Sequence, residues 1–98
     1  MKNIDGASQA NVPSILNASG IALASNQNRR FFSIQNVGTN PLFILLGDGA
    51  STTVFHAVIK GGAANSDGLG GSYSSGTVCY QGDVSVYGTS PLFVVTEM

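Results

Sequence analysis

Residues 34–45, Ile-Gln-Asn-Val-Gly-Thr-Asn-Pro-Leu-Phe-Ile-Leu, and residues 84–95, Val-Ser-Val-Tyr-Gly-Thr-Ser-Pro-Leu-Phe-Val-Val, are two copies of one pattern. They align without gaps at an offset of fifty residues, and both contain Gly-Thr-(Asn/Ser)-Pro-Leu-Phe. Glycine tolerates a positive φ, and a proline keeps the residue before it out of the helical region. Each copy therefore predicts two strands joined by a tight turn, which we interpret as an antiparallel β-hairpin; the first spans residues 30–46.

The two hairpins predict the fold class. A hairpin buries one face, so two similar hairpins most simply close on each other. We expect an all-β protein, an antiparallel β-sandwich or small barrel built around two similar β-hairpins, because no stretch has helical spacing. The expected core is Phe32, Ile34, Leu42, Ile44, Val84, Val86, Leu92 and Val94.

The remaining segments complete one domain. Strands are predicted within residues 14–24, interrupted at 17–20, and at 52–60 and 77–81, because these stretches are apolar or β-branched. The Gly-rich residues 61–76 are predicted to be a loop. Residues 1–13 are polar and show no period, so we expect an extended N-terminal arm followed by a single domain, residues 14–98.

The low content of charged residues excludes several classes of function. Only 9% of the residues are charged, against roughly 25% in ordinary domains. Four cations cannot form the basic stripe that binds nucleic acid, and the longest apolar run, residues 41–46, is too short to span a membrane. With 43% hydrophobic residues, so small a chain predicts association with other subunits. The alternative is a monomer covered by Ser, Thr, Asn and Gly.

The residues offer little for catalysis or metal binding. His56 is the only histidine and Cys79 the only cysteine, and no Gly-x-Ser-x-Gly elbow is present. The aspartates 48, 67 and 83 fall in Gly-rich turns, where Asp normally serves turn geometry. We therefore expect no enzyme activity, no metal and no cofactor.

The candidate functional residues are contacts to other subunits. Arg29 and Arg30 begin a strand and could bind a neighbour's carboxylate or carbonyl, although a solvated pair is an equal alternative. Leu69 and Tyr73 are the large apolar side chains of the Gly-rich loop, and Ile4 and Val12 are isolated apolar residues of the arm. Tyr73 or Tyr80 could instead serve as a stacking platform for a sugar.

Residues 28–43, Asn-Arg-Arg-Phe-Phe-Ser-Ile-Gln-Asn-Val-Gly-Thr-Asn-Pro-Leu-Phe, carry a resemblance to a known family. They resemble a recurring hairpin of tailed-bacteriophage virion proteins, roughly Asn-Arg-x-x-x-x-Ile-Gln-Asn-x-Gly-x-Asn-Pro-aliphatic-aromatic. The weaker Gly-rich remainder extends the resemblance over about residues 20–98, while the polar arm departs from it.

The resemblance implies a capsid decoration (cement) or minor capsid protein. Such a protein lies on the capsid surface of the virion, binds the major capsid protein and is oligomeric, with a trimer favoured. Synthesis in the host cytoplasm is expected separately, because residues 1–5 carry no apolar h-region of a secretion signal. The alternatives are a neck, tail or fibre-associated module and a carbohydrate-binding module.

Overall fold

The computed structural model describes residues 15–76 and 78–98, which form eight short strands and no helix. The predicted arm, residues 1–13, lies outside the described residues. The strands are β1 (Ile15–Leu16), β2 (Gly20–Leu23), β3 (Phe32–Asn36), β4 (Leu42–Leu46), β5 (Ala57–Ile59), β6 (Ser72–Ser74), β7 (Val84–Tyr87) and β8 (Phe93–Glu97). The all-β prediction is confirmed.

The strands form two four-stranded antiparallel sheets that pack face to face. Sheet A has the order β1-β8-β3-β6, and sheet B has the order β2-β7-β4-β5. The sheets bury one apolar core, which confirms the predicted β-sandwich. Its buried side chains are Leu23, Phe32, Ile34, Leu42, Ile44, Ile59, Val84, Val86 and Phe93.

The pairing within each repeat differs from the predicted hairpins. β3 lies in sheet A and β4 in sheet B, so the turn between them carries the chain across the core. β7 and β8 are divided between the sheets in the same way, and the two repeats pair with each other as β3 with β8 and β4 with β7. The correction has a physical reason, since alternation predicts which face of a strand is buried but not which strand lies beside it.

A buried amide fixes the first crossing turn. Asn36 is almost fully buried, and its Nδ2 donates to the carbonyl oxygens of Asn40 (2.8 Å) and Ile59 (3.1 Å). Its Oδ1 accepts the backbone N–H of Gly38 at 3.0 Å. Asn40 Nδ2 in turn donates to the carbonyl of Thr89 at 2.8 Å, so the turns of the two repeats are joined.

In the last strand of the second repeat, the residues that face the core are shifted by one position relative to those of the first repeat. Six of the eight predicted core residues are buried, but Leu92 and Val94 are only half-buried, and Phe93 lies in the core instead. Ser90 has a φ of 45°, in the left-handed region, which its counterpart Asn40 does not adopt. This different turn before the proline accompanies the one-residue shift of the inward face.

The internal repeat extends to four strands per half. Each of the six strand pairs joins one of β1–β4 to one of β5–β8. If each strand of the first half is exchanged with its counterpart in the second half (β1 with β5, β2 with β6, β3 with β7 and β4 with β8), the strand order of sheet A becomes that of sheet B. Neither half, residues 15–46 or 57–97, has a strand partner within itself, so the fold needs both.

The Gly-rich segment is more ordered than a loop. It contains β6, and its beginning packs on the first turn, where Gly62 and Ser66 donate backbone N–H groups to the carbonyls of Gly38 (2.9 Å) and Val37 (2.7 Å). A Cβ on Gly61 or Gly70 would collide with the backbone of that turn, so glycine is required for this approach. Two other predicted strands are corrected: residues 52–60 form a strand only at β5, and residues 78–81 form none.

We expect the two halves to fold only together. Residues 1–49 and 50–98, produced as separate chains, should each lack a cooperative thermal transition, because every strand partner lies on the other half. Mixing them should restore a β-type circular dichroism spectrum and a cooperative transition. A cooperative transition in either half alone would contradict the pairing.

Candidate interaction surface

The outward side of sheet B carries a row of apolar side chains. In β4, Leu42 and Ile44 point into the core, so Phe43 points outward by alternation. Phe43 is paired with Val58 on β5 and with Tyr87 on β7. Val58 is 47% exposed and Tyr87 is 39% exposed. Solvent-facing sides of antiparallel sheets are normally polar, so this row is unusual.

The connection from β4 to β5, residues 47–56, adds a second aromatic to this side. Phe55 packs on Phe43 with ring centroids 5.1 Å apart in an edge arrangement and remains 41% exposed. Ala50 donates its backbone N–H to Ser85 Oγ at 3.0 Å, and Ser85 is buried. The connection therefore covers the middle of the sheet and leaves the aromatic row accessible.

We call Ile21, Phe43, Phe55, Val58 and Tyr87 the outer face of sheet B. Ile21 is exposed on β2 and pairs with Ser85, which places it beside β7. The four strands of sheet B contain no charged residue. Exposed apolar side chains on strands that carry no charge are typical of a protein contact site.

Arg29 is a structural residue of the domain and not the exposed contact that the sequence suggested. It is 1% exposed, and Nε donates to Glu97 Oε1 at 2.8 Å. The other guanidinium nitrogens donate to backbone carbonyls, and the group lies 5.6 Å from the ring centroid of Phe32. These carbonyls belong to Ala24, Tyr80 and Gly82. The side chain is therefore committed within the chain and does not reach a neighbour.

The other predicted interface residues lie apart from the outer face of sheet B. Ile4 and Val12 lie outside the described residues. Arg30 is exposed, and its backbone N–H donates to the carbonyl of Met98 at 2.7 Å. Leu69 is 61% exposed, whereas Tyr73 is half-buried on β6 with its ring 6.0 Å from that of Phe32. Of the described candidates, Arg30 and Leu69 have the exposure that a contact needs.

Asp67 organises the loop that presents Leu69. Its Oδ1 accepts the backbone N–H of Leu69 at 2.8 Å, and its Oδ2 accepts those of Ala63 (2.9 Å) and Ala64 (2.8 Å). These bonds, the one from Leu69 first, hold the pKa of the Asp67 carboxyl below its usual value because they favour the ionised form. The loop conformation therefore depends on a charged Asp67.

A polar cleft of about 410 Å³ lies where the two proline turns meet. Its lining carries no charged side chain and consists of Asn17, Thr39, Asn40, Asn65, Ser90, Pro91 and Leu92. Amides and hydroxyls donate and accept hydrogen bonds without a charge. The cleft therefore suits a neutral polar ligand, whereas Tyr73 and Tyr80, the two expected sugar platforms, are half-buried and pack on the core.

The groups considered for catalysis have structural contacts. His56 Nδ1 accepts the backbone N–H of Leu46 at 3.0 Å, next to β5, and Cys79 is half-buried against the core. In residues 15–76 and 78–98, no three His, Cys, Asp or Glu side chains are grouped as a metal site would require. That part of the chain also has no helix long and apolar enough to cross a membrane.

One sequence pattern indicates the outer face of sheet B, although the sequence analysis did not predict that face. Residues 42–46, Leu-Phe-Ile-Leu-Leu, are apolar without interruption, whereas a strand with one solvated face alternates. Continuous apolarity in an antiparallel sandwich means that both sides of the strand are apolar. The contributions of Phe55, Val58 and Tyr87 could not be read in this way, because they depend on which strands are neighbours.

Comparison of this chain with protein-family models, with curated proteins and with solved structures finds no match.

We expect Arg29→Ala to destabilise the domain strongly and the adjacent Arg30→Ala hardly at all. Removing the buried guanidinium leaves three carbonyls and Glu97 without their donors, which costs about 3 kcal/mol or more and lowers Tm by more than about 10 °C. Arg30→Ala, at an exposed position, should change stability by less than about 0.5 kcal/mol. Thermal melts of both variants make the comparison, and equal Tm values would contradict it.

We expect Asp67→Asn to weaken the protein at neutral pH and to reduce its sensitivity to acid. Because the folded-state pKa is lowered, Asp67 stabilises the fold fully above its unfolded pKa, near about pH 4. That contribution is lost as the pH falls through the folded-state pKa. The Tm difference between wild type and D67N should therefore shrink from pH 7 to about pH 3. Asp48→Asn, in another Gly-rich turn, is the matched control, and a pH-independent difference for D67N would contradict the assignment.

Proposed function

We propose that this chain is a non-enzymatic structural protein of a virus particle, a capsid decoration (cement) or minor capsid protein. It binds the major capsid protein and stabilises the head, where it lies on the capsid surface. The observation that carries the proposal is the outer face of sheet B, where aromatic and aliphatic side chains are exposed beside strands that carry no charge. The resemblance of residues 28–43 to virion proteins supplies the setting.

The physical basis of the proposed function is burial of apolar surface without turnover. A chain with 9% charged residues gains little from ion pairs with a partner, whereas apolar area removed from water gains about 25 cal/mol per Å². In a symmetric particle each contact is repeated many times, so modest single contacts add up to a large effect. The sandwich supplies a rigid platform for such contacts.

A second surface is proposed for contacts with the shell, in addition to the outer face of sheet B. Within residues 15–76 and 78–98, β1 is an edge strand of sheet A, and the arm precedes it in the chain. Leu69 is a large apolar side chain of the Gly-rich loop and is 61% exposed. We assign the arm, with Ile4 and Val12, and the exposed Leu69 to contacts with the major capsid protein.

Binding to virus shells that lack this chain tests the proposal. The full chain should sediment with the shells and raise their resistance to heat, and deletion of residues 1–12 should weaken binding by about tenfold or more, because the arm contributes contact area. The truncated chain should keep the wild-type Tm, since the deleted residues precede β1. Absence of binding by the full chain would overturn the function, and unchanged binding by the truncated chain would overturn the role of the arm.

A neck, tail or fibre-associated module is the alternative within the same class. Decoration of a head requires hundreds of copies per particle, whereas a neck has about a dozen or fewer by its symmetry. Quantitative mass spectrometry of purified particles distinguishes these two locations.

Carbohydrate binding is the second candidate function, and the polar cleft favours it. Its volume of about 410 Å³ lies within the range of small-molecule sites, roughly 300–1,000 Å³, and its lining is uncharged. The cleft lacks an aromatic side chain among its lining residues, which weakens this candidate because sugars commonly stack on aromatic faces. A glycan array probed with the full chain separates this function from shell binding.

A further inference from the structure

We infer that the polar cleft between the two proline turns binds a neutral sugar by its hydroxyl edge, through the amides of Asn17 and Asn65 and the hydroxyl of Ser90. The inference goes beyond the shell function. It rests on carbohydrate binding, the second candidate function, because it names the residues and the class of sugar. A free saccharide and the terminal sugar of a surface glycan offer the same chemistry.

The cleft lies where the two halves of the internal repeat meet. Part of its lining comes from the β3–β4 and β7–β8 turns, where Asn40 and Ser90 occupy matching positions of the sequence repeat. Another part comes from the β1–β2 and β5–β6 connections, which hold Asn17 and Asn65. These two connections are also counterparts in the strand exchange that relates the sheets. Both halves therefore supply amides or hydroxyls to the same space.

Hydrogen bonds between these segments fix the shape of the cleft. Asn40 Nδ2 joins the two turns by donating to the carbonyl of Thr89 at 2.8 Å. In the β1–β2 connection, Ser19 Oγ accepts the backbone N–H of Gly88 at 3.1 Å, which ties that connection to the second turn. The β5–β6 connection is held on the first turn by the backbone bonds described above. The site is therefore formed before any ligand arrives, as small-molecule sites usually are.

The side chains left for a ligand donate and accept hydrogen bonds but carry no charge. Asn17, Asn65 and Ser90 are exposed and take no part in the bonds that hold the segments together. A carboxamide and a hydroxyl each donate and accept, and so do the hydroxyl groups of a sugar. A carboxylate, sulfate or ammonium group would lose its hydration here without gaining an opposite charge. The lining therefore selects a neutral ligand.

The apolar part of the lining determines which side of the sugar is bound. It consists of Pro91 and Leu92, both half-buried, and includes no aromatic ring on which a sugar face could stack. These side chains can cover C–H groups, so the hydroxyls at the ring edge carry the recognition. An uncharged peptide fits less well, because its backbone N–H groups only donate and its carbonyls only accept.

Backbone strain at Ser90 independently indicates that this turn serves a ligand. In residues 15–76 and 78–98, the non-glycine residues with positive φ are Ser90 (45°) and Ser66 (57°). Ser90 lines the cleft, and Ser66 follows Asn65, which also lines it. The other positive-φ positions are taken by glycine, namely Gly20, Gly47, Gly49 and Gly68. Strained residues cluster at ligand sites, and a serine where glycine would be relaxed implies a use for its hydroxyl.

Binding of neutral sugars to the full chain tests the inference in two arms. NMR titration with methyl glycosides of glucose, galactose, mannose and N-acetylglucosamine covers free saccharides, and an array of neutral and sialylated glycans covers surface glycans. We expect binding in at least one arm, with a dissociation constant on the order of 0.1–10 mM for so small a site. The absence of binding in both arms, or equal binding of sialylated and neutral glycans, would overturn the inference. Binding of an uncharged peptide in place of any sugar would do the same.

Substitutions in the cleft locate the site. Asn17→Ala and Asn65→Ala should each raise the dissociation constant by about fivefold or more, because each removes an amide that bonds the sugar. Ser90→Gly should weaken binding by a similar factor while its Tm equals that of wild type or exceeds it by up to about 5 °C, because glycine relaxes the turn. A purely structural role of Ser90 would instead lower the Tm of this variant and leave binding unchanged.

Asn28→Ala is the matched control. Asn28 is an exposed amide in the β2–β3 connection and does not line the cleft, so N28A should bind sugar as wild type does. Sugar binding that N17A, N65A and S90G leave at the level of N28A overturns the cleft as the site and leaves carbohydrate binding standing. A chain that sediments with shells and binds no sugar in either arm overturns the inference and leaves the shell function standing.

Discussion

Strand pairing between the two halves of the chain is the constraint on which this structure depends. Each strand of residues 15–46 has its partners in residues 57–97, and the turns that follow Asn36 and Tyr87 cross from one sheet to the other. The core is closed only when both halves are in place, since each sheet takes strands from both halves, and Ile34 and Phe93 of sheet A face Ile44 and Val86 of sheet B. Such distant contacts make folding slow relative to a helical protein of the same length.

Buried polar side chains hold the connections that this topology creates. Arg29 joins the β2–β3 connection to the carbonyls of Tyr80 and Gly82 and to Glu97 on the last strand. Asn36 does the same for the first crossing turn. Both groups have their hydrogen-bonding capacity used inside the chain, and a buried polar group is favourable only when it is satisfied in this way. The few polar residues in the interior therefore fix the turns, while the apolar residues supply the driving force.

The small number of charged residues also explains the apolar character of the surface. With its one buried cation engaged by Glu97, the described part of the chain has little charge to distribute, and sheet B has none on its strands. The β4–β5 connection folds over the outer side of that sheet and places Phe55 against Phe43. This arrangement covers the centre of the sheet and leaves Phe55, Val58 and Tyr87 exposed on the same side, which is the physical basis of the proposed role in assembly.

Local chemistry in the sequence determined the all-β class, the four strands of the two repeats, the turns within the repeats and the inward faces of β3, β4 and β7. The alternation at Phe32 and Ile34, the apolar run after Pro41 and the repeat at residues 84–95 were sufficient for an all-β sandwich, because period, propensity and turn residues are local properties. Only the tertiary structure decided which strands are neighbours. It divided each expected hairpin between two sheets, placed Phe93 in the core in place of Leu92, buried Arg29, and brought Phe43, Phe55, Val58 and Tyr87 together. Those outcomes depend on contacts between residues distant in the chain, and no local pattern specifies which of several apolar strands will pair.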